Sequence, residues 1–292
     1  MKKRTPPPAD AAPSAAGTAA PGAIDADPWT DLRRYTAARL ALGRAGASLP
    51  TAEVLRFGLA HAKARDAVHL ALDAGALQAA LAADGCATLR AHSAAADRGS
   101  YLARPDLGRK LAADSAAALR AQAGPAGCDL LLVIGDGLSS LAVERNARAL
   151  VAEIRRGLPA GWTLGPVVVA TQARVALADE IGQALGARLV AMLIGERPGL
   201  SSPDSLGLYL TWAPRPGRSD AQRNCISNIR PEGLGHAEAA RRLWWLCLEA
   251  RRLGLTGVAL KDNSEGALPG AGTPLALPAA ASAPDTGTQD KP

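Results

Sequence analysis

The sequence predicts an α/β fold: a doubly wound, Rossmann-like, mostly parallel sheet preceded by a helical N-terminal segment. Three observations predict it. From Asp129 onward, short apolar runs alternate with longer stretches of helical period, as strands joined by crossover helices require. The run Leu130-Leu131-Leu132-Val133-Ile134 is apolar at every position, which fits a strand covered on both faces. It stops at Gly135-Asp136-Gly137, directly before a helical period, and such turns beyond the carboxyl ends of strands are where open α/β sheets bind ligands.

Residues 1–28 are rich in Pro, Ala, Gly and Thr and lack periodicity, so they read as a flexible arm. Residues 29–122 read as the helical N-terminal segment, 123–263 as the Rossmann-like domain, and 264–292 as a second Pro-rich tail. Asp31 is placed to cap a helix running through Leu32, Tyr35, Leu40 and Leu42. Pro50-Thr51 opens a longer one, with Val54, Leu55, Leu59, Val68 and Leu72 at helical spacing and an end near Gly75. Leu77–Ala83 gives a further turn, 86–92 a short strand, and Asp106–Ala121 another helix, with Asp106 as its cap. The stretch before it, from Ala96 to Pro105, reads as an elbow. After the strand at 130–134 come a helix over Ser139–Arg156, a strand at Val167–Val169, a helix over Val175–Leu185 and a strand at Leu189–Ile194. Leu206–Trp212 is a fourth strand, 213–233 a long loop, Gly235–Leu253 a helix, and Val258–Leu260 a strand that closes the sheet.

Composition narrows the function. There are 33 basic and 27 acidic residues, a net charge of +6. The first 28 residues balance Lys2, Lys3 and Arg4 against Asp10, Asp25 and Asp27, so the excess lies in the folded middle. It is spread along the chain rather than gathered in a block, which suits an acidic partner surface or an anionic ligand. Aromatic residues are only 3%, too few for the stacking platforms that single-stranded nucleic acid needs. No run of 18 apolar residues occurs, so no membrane span is expected. Met1-Lys2-Lys3-Arg4 leads into Pro6-Pro7-Pro8 rather than an apolar stretch, which argues against a secretory signal. Cys86, Cys128, Cys225 and Cys247 are far apart and form no metal-ligand spacing with the four histidines, so no metal site is expected.

Three strand ends converge by the rule for open sheets: Gly135-Asp136-Gly137, Thr171-Gln172-Ala173-Arg174-Val175 and Gly195-Glu196-Arg197-Pro198-Gly199. The first resembles a dinucleotide cradle, but Ser140 stands where the third glycine belongs and the next strand ends without an acidic residue. Gly-Asp-Gly also suits magnesium and a diphosphate, although no partner Asn follows at the usual distance. Glu196 can accept hydrogen bonds from ligand amides or hydroxyls, or pair with Arg197. Cys225, near Arg223 and Arg230 in the long loop, reads as a nucleophile of lowered pKa or as a plain ligand contact. Trp244-Trp245 reads as an interface anchor or as core. No acid/base pair and no triad is visible, so no residue is assigned a catalytic role.

Four motifs together carry a resemblance. They are Arg104-Pro105-Asp106-Leu107-Gly108-Arg109, Val133-Ile134-Gly135-Asp136-Gly137-Leu138-Ser139, Leu193-Ile194-Gly195-Glu196-Arg197-Pro198-Gly199-Leu200 and Cys225-Ile226-Ser227-Asn228-Ile229. In this order, over about 29–261, the chain resembles the family of ethanolamine ammonia-lyase small (light) subunits. The resemblance implies an α/β domain that holds adenosylcobalamin (coenzyme B12) together with a large, TIM-barrel subunit, in an assembly of heavy and light chains. Family positions that contact the cofactor correspond to Val175, Glu196 and Cys225. The implied reaction is a radical deamination of ethanolamine to acetaldehyde and ammonia, with substrate held by the large subunit. A cytoplasmic location is implied, free or inside a bacterial microcompartment. The absence of a D-x-H-x-x-G signature implies that the cofactor's own base stays on cobalt. Two readings stand beside this one: a nucleotide-binding Rossmann-like domain of an oxidoreductase, and an interaction protein without a ligand site.

Overall fold

In a computed structural model, residues 24–36 and 38–264 are described. The arm expected over 1–28 and the tail expected over 264–292 therefore lie largely outside the described residues. The chain divides into two compact units, Met1–Ala64 and Arg65–Pro292.

In the first unit a 3-10 helix, Thr30–Arg34, is followed by irregular chain. The helix expected to run on to Leu42 does not form. Asp31 makes no capping bond; the carboxylate of Asp27 takes the N–H of Trp29 instead, at 2.9 Å. The segment closes on itself where Asp25 and Arg44 exchange backbone hydrogen bonds of 2.7 and 3.0 Å. Helix α1, Thr51–His69, begins at the expected Pro50-Thr51 but stops short of Gly75. Asp73 ends the continuity by accepting from the N–H of Ala76 at 2.8 Å, which starts α2, Ala74–Ala83. A side chain that caps a new helix competes with the old one for the same backbone.

The second unit is built on a six-stranded mixed sheet. Its strands are β1 (Thr88–His92), β2 (Cys128–Gly135), β3 (Val167–Thr171), β4 (Ala187–Gly195), β5 (Leu206–Trp212) and β6 (Arg223–Ile229), in the spatial order β1-β3-β2-β4-β5-β6. The pairs from β1 to β4 are parallel, and β4–β5 and β5–β6 are antiparallel. The remaining helices are α3 (Arg98–Ala103), α4 (Ala113–Ala121), α5 (Ser140–Arg156), α6 (Leu177–Ala184) and α7 (His236–Leu253).

Side-chain alternation assigns the two faces. Leu130, Leu132 and Ile134 pack with Val167, Val169, Leu189 and Leu193 under α2, α5 and α7. Leu131 and Val133 pack with Val168, Val190 and Met192 under α4 and α6. Each fully buried Leu, Ile or Val here contributes about 1.5–3 kcal/mol. Trp244 belongs to this core: its indole donates to the carbonyl of Ile154 at 2.9 Å and meets Trp162 edge-on at 5.7 Å. Trp245 instead lines a groove of about 520 Å³ with Pro159 and Leu248.

Several expected elements differ. Asp106–Ala121 is not one helix: a 3-10 turn at Leu107–Arg109 precedes α4. Asp106 caps nothing and pairs with Arg104 at 2.8 Å. The elbow before it contains α3, capped by Asp97 through the N–H of Ser100 at 2.7 Å. The loop expected over 213–233 contains β6, whose Ile226 and Ile229 are buried while Cys225, Ser227 and Asn228 are exposed. Arg223 anchors it, its guanidinium forming two 2.7 Å bonds to Asp179 of α6 and a 2.9 Å bond to Thr211 of β5. Val258–Leu260 adds no strand. The Asn224 side chain holds it instead, accepting from Gly257 N–H at 2.8 Å and donating to the Leu260 carbonyl at 2.7 Å. No described helix is long and apolar enough to cross a membrane.

Candidate functional site

β2, β3 and β4 are neighbours in the sheet and end together at Gly135, Thr171 and Gly195. From β2 the chain passes through α5 to β3 on one side, then through α6 to β4 on the other. The helices lie on opposite faces, so the segments after these strands diverge and leave a crevice.

Asp136 joins the walls of that crevice. It is 2% exposed. One carboxylate oxygen accepts from the N–H of Gly137 at 2.9 Å and of Ala173 at 2.8 Å; the other accepts from Gln172 at 2.9 Å. Arg98 of α3 stands 3.5 Å away. Burial pushes the Asp136 carboxyl up from its ordinary value, against the pull of these amides and of Arg98. A carboxylate so fully engaged is a brace between segments rather than a free metal ligand. The backbones meet just as closely. Gly137 sits at φ +59°, and a Cβ there would collide with Gly195, while one on Gly195 would collide with Ser139. This contact lets Leu138 N–H donate to the Gly195 carbonyl at 2.9 Å.

Tyr101 lies behind the brace. It is 1% exposed, and its hydroxyl donates to the Ala173 carbonyl at 3.2 Å. The guanidinium carbons of Arg174 and Arg98 stand over its ring, 4.4 and 4.7 Å from the centroid, a cation–π arrangement. Burial pushes the hydroxyl up to about 12. Three buried polar atoms here have no hydrogen-bond partner: Arg98 Nη2, Arg174 Nε and Gln172 Oε1. Buried polar groups are nearly always satisfied, so these fit a site completed by something polar.

The cavity at the strand ends measures about 400 Å³. Gly137, Leu138, Val175, Glu196 and Tyr209 are among its walls. It thus brings Val175 and Glu196 together. Glu196 does not pair with Arg197: its carboxylate accepts from the Ser205 hydroxyl and from Asn228 N–H of β6, the latter at 3.4 Å. Gly207 makes room for it, since a Cβ there would lie 2.8 Å from Glu196 Oε1. Cys225 is not among the walls. It sits on β6 opposite Tyr209, which is one of them.

The nucleophile reading of Cys225 fails on electrostatics. The surrounding protein pushes the thiol up, the nearby Glu196 charge adds to this, and the Tyr209 hydroxyl only partly opposes it. The expected positive neighbours are engaged elsewhere: Arg223 with Asp179, and Arg230 with Asn228, Asp204 and Glu232. The dinucleotide reading loses some of its donors as well. At the start of α5, Leu138 N–H is spent on Gly195, Ala142 N–H on the Ser139 hydroxyl at 3.2 Å, and the Ser140 hydroxyl on the Leu70 carbonyl at 2.8 Å. Glu196 is the lone carboxylate among the cavity's walls, and burial holds both wall tyrosines above their ordinary values. The site is equipped to hold a ligand rather than to shuttle protons.

Sequence reasoning missed Arg98, Tyr101, Ser205 and Tyr209. No local pattern marks them, because each reaches the crevice through a long-range contact. Gly108 is the one signal, lying where a Cβ would meet Arg174, Tyr101 and the Gln172 carbonyl.

Comparison with known proteins gives a consistent result. The profile of the family described as ethanolamine ammonia-lyase light chain matches residues 26–261. An ethanolamine ammonia-lyase small subunit from Ralstonia nicotianae is 59% identical over 248 residues, 84% of this chain and 92% of that protein. One from Azotobacter vinelandii is 58% identical over 252 residues, 85% of this chain and 93% of that protein. One from Pseudomonas syringae is 58% identical over 246 residues, 83% and 86% of the two. The four motifs, the crevice between them and these likenesses agree, and the chain belongs to the ethanolamine ammonia-lyase light chain family.

Proposed function

We propose that this chain is the cofactor-holding small subunit of an adenosylcobalamin-dependent lyase that converts ethanolamine to acetaldehyde and ammonia. In this reading the sheet is a doubly wound, Rossmann-like domain over about 123–263, and its crevice takes the cobalamin. One observation carries the reading. The crevice joins one carboxylate, Glu196, to Arg174, whose Nε has no hydrogen-bond partner, without an acid/base pair. That is a binding wall for a large amide-bearing group whose own chemistry does the work. Val175 supplies an apolar contact, Glu196 accepts from amide or hydroxyl donors, and Cys225 with Tyr209 forms the rim on the β6 side. The bound group supplies a homolysable cobalt–carbon bond that initiates hydrogen abstraction.

A corrin with its nucleotide arm far exceeds 400 Å³, so this chain forms one wall. The large subunit, a TIM barrel in this reading, forms the other and holds ethanolamine. The residues of this chain orient the cofactor and exclude water from its face. The working place is the cytoplasm, with enclosure in a bacterial microcompartment as the alternative.

The test is reconstitution. The chain is co-expressed with the large subunit, and ammonia release from ethanolamine is assayed with and without adenosylcobalamin. Cofactor-dependent release that disappears when this chain is omitted is the expected result. A stable complex without release would overturn the enzymatic reading.

A further inference from the structure

Trp244 and Trp245 are neighbours with different fates. Trp244 belongs to the core, whereas Trp245 is half-buried and lines a groove along the seam of α5 and α7. The groove measures about 520 Å³, and its walls include Pro159, Ala237, Ala240, Arg241, Trp245 and Leu248. Its charged members are engaged within the chain, Arg156 with Glu153 and Arg241 with Glu238. What remains is an apolar, aromatic surface. Grooves of this kind take Pro-rich segments in the polyproline II form, which has no internal hydrogen bonds to give up.

The chain itself leads to this groove. After α7 it returns along the helix. Asp262 comes within 3.9 Å of Arg242, and Arg241 Nη1 then donates to the Ser264 carbonyl at 3.1 Å. Successive helical residues lie about 100° apart around the axis. The chain therefore passes round α7 from its Arg242 side to its Arg241 side, which lines the groove. Ser264 is the last described residue. It is 0% exposed, and its buried hydroxyl has no hydrogen-bond partner. A chain leaving here for solvent would expose this residue.

The sequence that follows suits the groove. Among residues 265–292 the only large apolar side chains are Leu268, Leu275 and Leu277, and the last two stand in Pro274-Leu275-Ala276-Leu277-Pro278. With three residues per turn, one edge of such a segment carries Pro274 and Leu277, a second carries Leu275 and Pro278, and the third carries only small Ala276. These five residues span about 15 Å as polyproline II. The groove wall from Ala237 to Leu248 covers about 16 Å of helix. Residues 265–273 reach about 28 Å in the same form, enough to bring the segment there. We propose that residues 274–278 dock into their own chain's α5–α7 groove, with the two apolar edges against Trp245, Pro159 and Leu248. The tether holds the segment at millimolar effective concentration, so a modest contact suffices. The crevice end of α5 at Ser140 lies about 20 Å along the helix from Glu153 at the groove, so this docking is independent of the function proposed above.

The test uses the full chain labelled with 5-fluorotryptophan, the Trp245 fluorine resonance being assigned with Trp245→Phe. Wild type is compared with Leu275→Asp/Leu277→Asp, and circular dichroism verifies that the variant keeps its fold. The probe is a peptide of residues 272–280. The Trp245 resonance is expected to differ between the two proteins. Its H2O/D2O isotope shift should be about twofold larger in the variant, and the peptide should return the variant's resonance towards the wild-type position. An identical Trp245 resonance in both proteins would overturn the proposal. So would a wild-type resonance that moves on dilution, which would make a second copy the occupant. A resonance that the double substitution leaves untouched but the large subunit moves would overturn it too, and would make that subunit the occupant.

Discussion

Glu196 is where the chemistry of the site is most concentrated. It lies one residue beyond β4, at a position that the Gly-Glu-Arg-Pro-Gly pattern already marks in the sequence. The structure adds why it stays ready: Ser205 and Asn228 orient the carboxylate over Gly207 without burying it. Glu196→Ala removes two partly exposed hydrogen bonds, a change of about 1–2 kcal/mol in stability. Cobalamin retention in the reconstituted complex should weaken roughly tenfold, equivalent to about 1.4 kcal/mol. Equilibrium dialysis of the variant complex measures this, and unchanged retention would remove Glu196 from the site. Val175 is legible for the same reason as Glu196, because both follow strands that announce themselves as apolar runs. Cys225 is legible only through the family motif. Its chemical reading from neighbouring arginines does not hold, because Arg223 is taken by Asp179 and Arg230 by Asp204 and Glu232.

The polar strand β6 is the element that the sequence hides best. Arg223-Asn224-Cys225-Ile226-Ser227-Asn228-Ile229 has too few apolar positions to read as a strand. Its place is set by partners far away in sequence, chiefly the Asp179–Arg223 pair, with both side chains 2% exposed. Burial raises the Asp179 carboxyl while Arg223 pulls it down, and the same pair holds Arg223 protonated against burial. Breaking one partner strands the other's charge. Asp179→Ala should cost about 3–5 kcal/mol, whereas replacing both residues with apolar ones of similar size should cost much less. Urea unfolding of the single and double variants decides this; equal losses would show that the pair is not coupled. The strands β2 to β5 were legible because burial on both faces demands continuous apolar runs. The boundaries at Gly75, Asp106 and Val258 were not, because single side chains (Asp73, Arg104 and Asn224) redirect the backbone there.

At the scale of the whole molecule, pH acts through opposed sets of carboxyls. Asp84, Asp97, Asp106, Asp114, Asp129 and Glu238 are held below their ordinary values. Glu238 is the extreme: its bonds to Arg241, with Arg242 assisting, bring it from 4.5 to about 2. A lowered folded-state value gives stability that is complete above the unfolded value and is lost as pH falls through the folded one. Asp136 and Asp179 are raised by burial and act in the opposite sense. Glu238 is the one carboxyl among these moved as far as about 2, so its contribution to Tm should drop as pH is lowered from about 4.5 to 2, and Glu238→Gln should flatten that drop. Differential scanning calorimetry across this range tests both; a Tm independent of pH, or a slope untouched by Glu238→Gln, would refute the assignment. The fold class could be anticipated from sequence because it depends on many redundant apolar positions. The edge strand β6 could not, because its polar sequence carries no apolar run; the antiparallel turn of the sheet begins one strand earlier, at β5.

The Asp136 brace has a further consequence. One carboxylate ties the segment after β2 to the segment after β3, and through Arg98 to α3. These parts cannot loosen one at a time without leaving a buried charge or amide unsatisfied. The mouth of the crevice therefore behaves as a single mechanical part. A large ligand meets walls that are already set, and little ordering entropy is left for its arrival to cost.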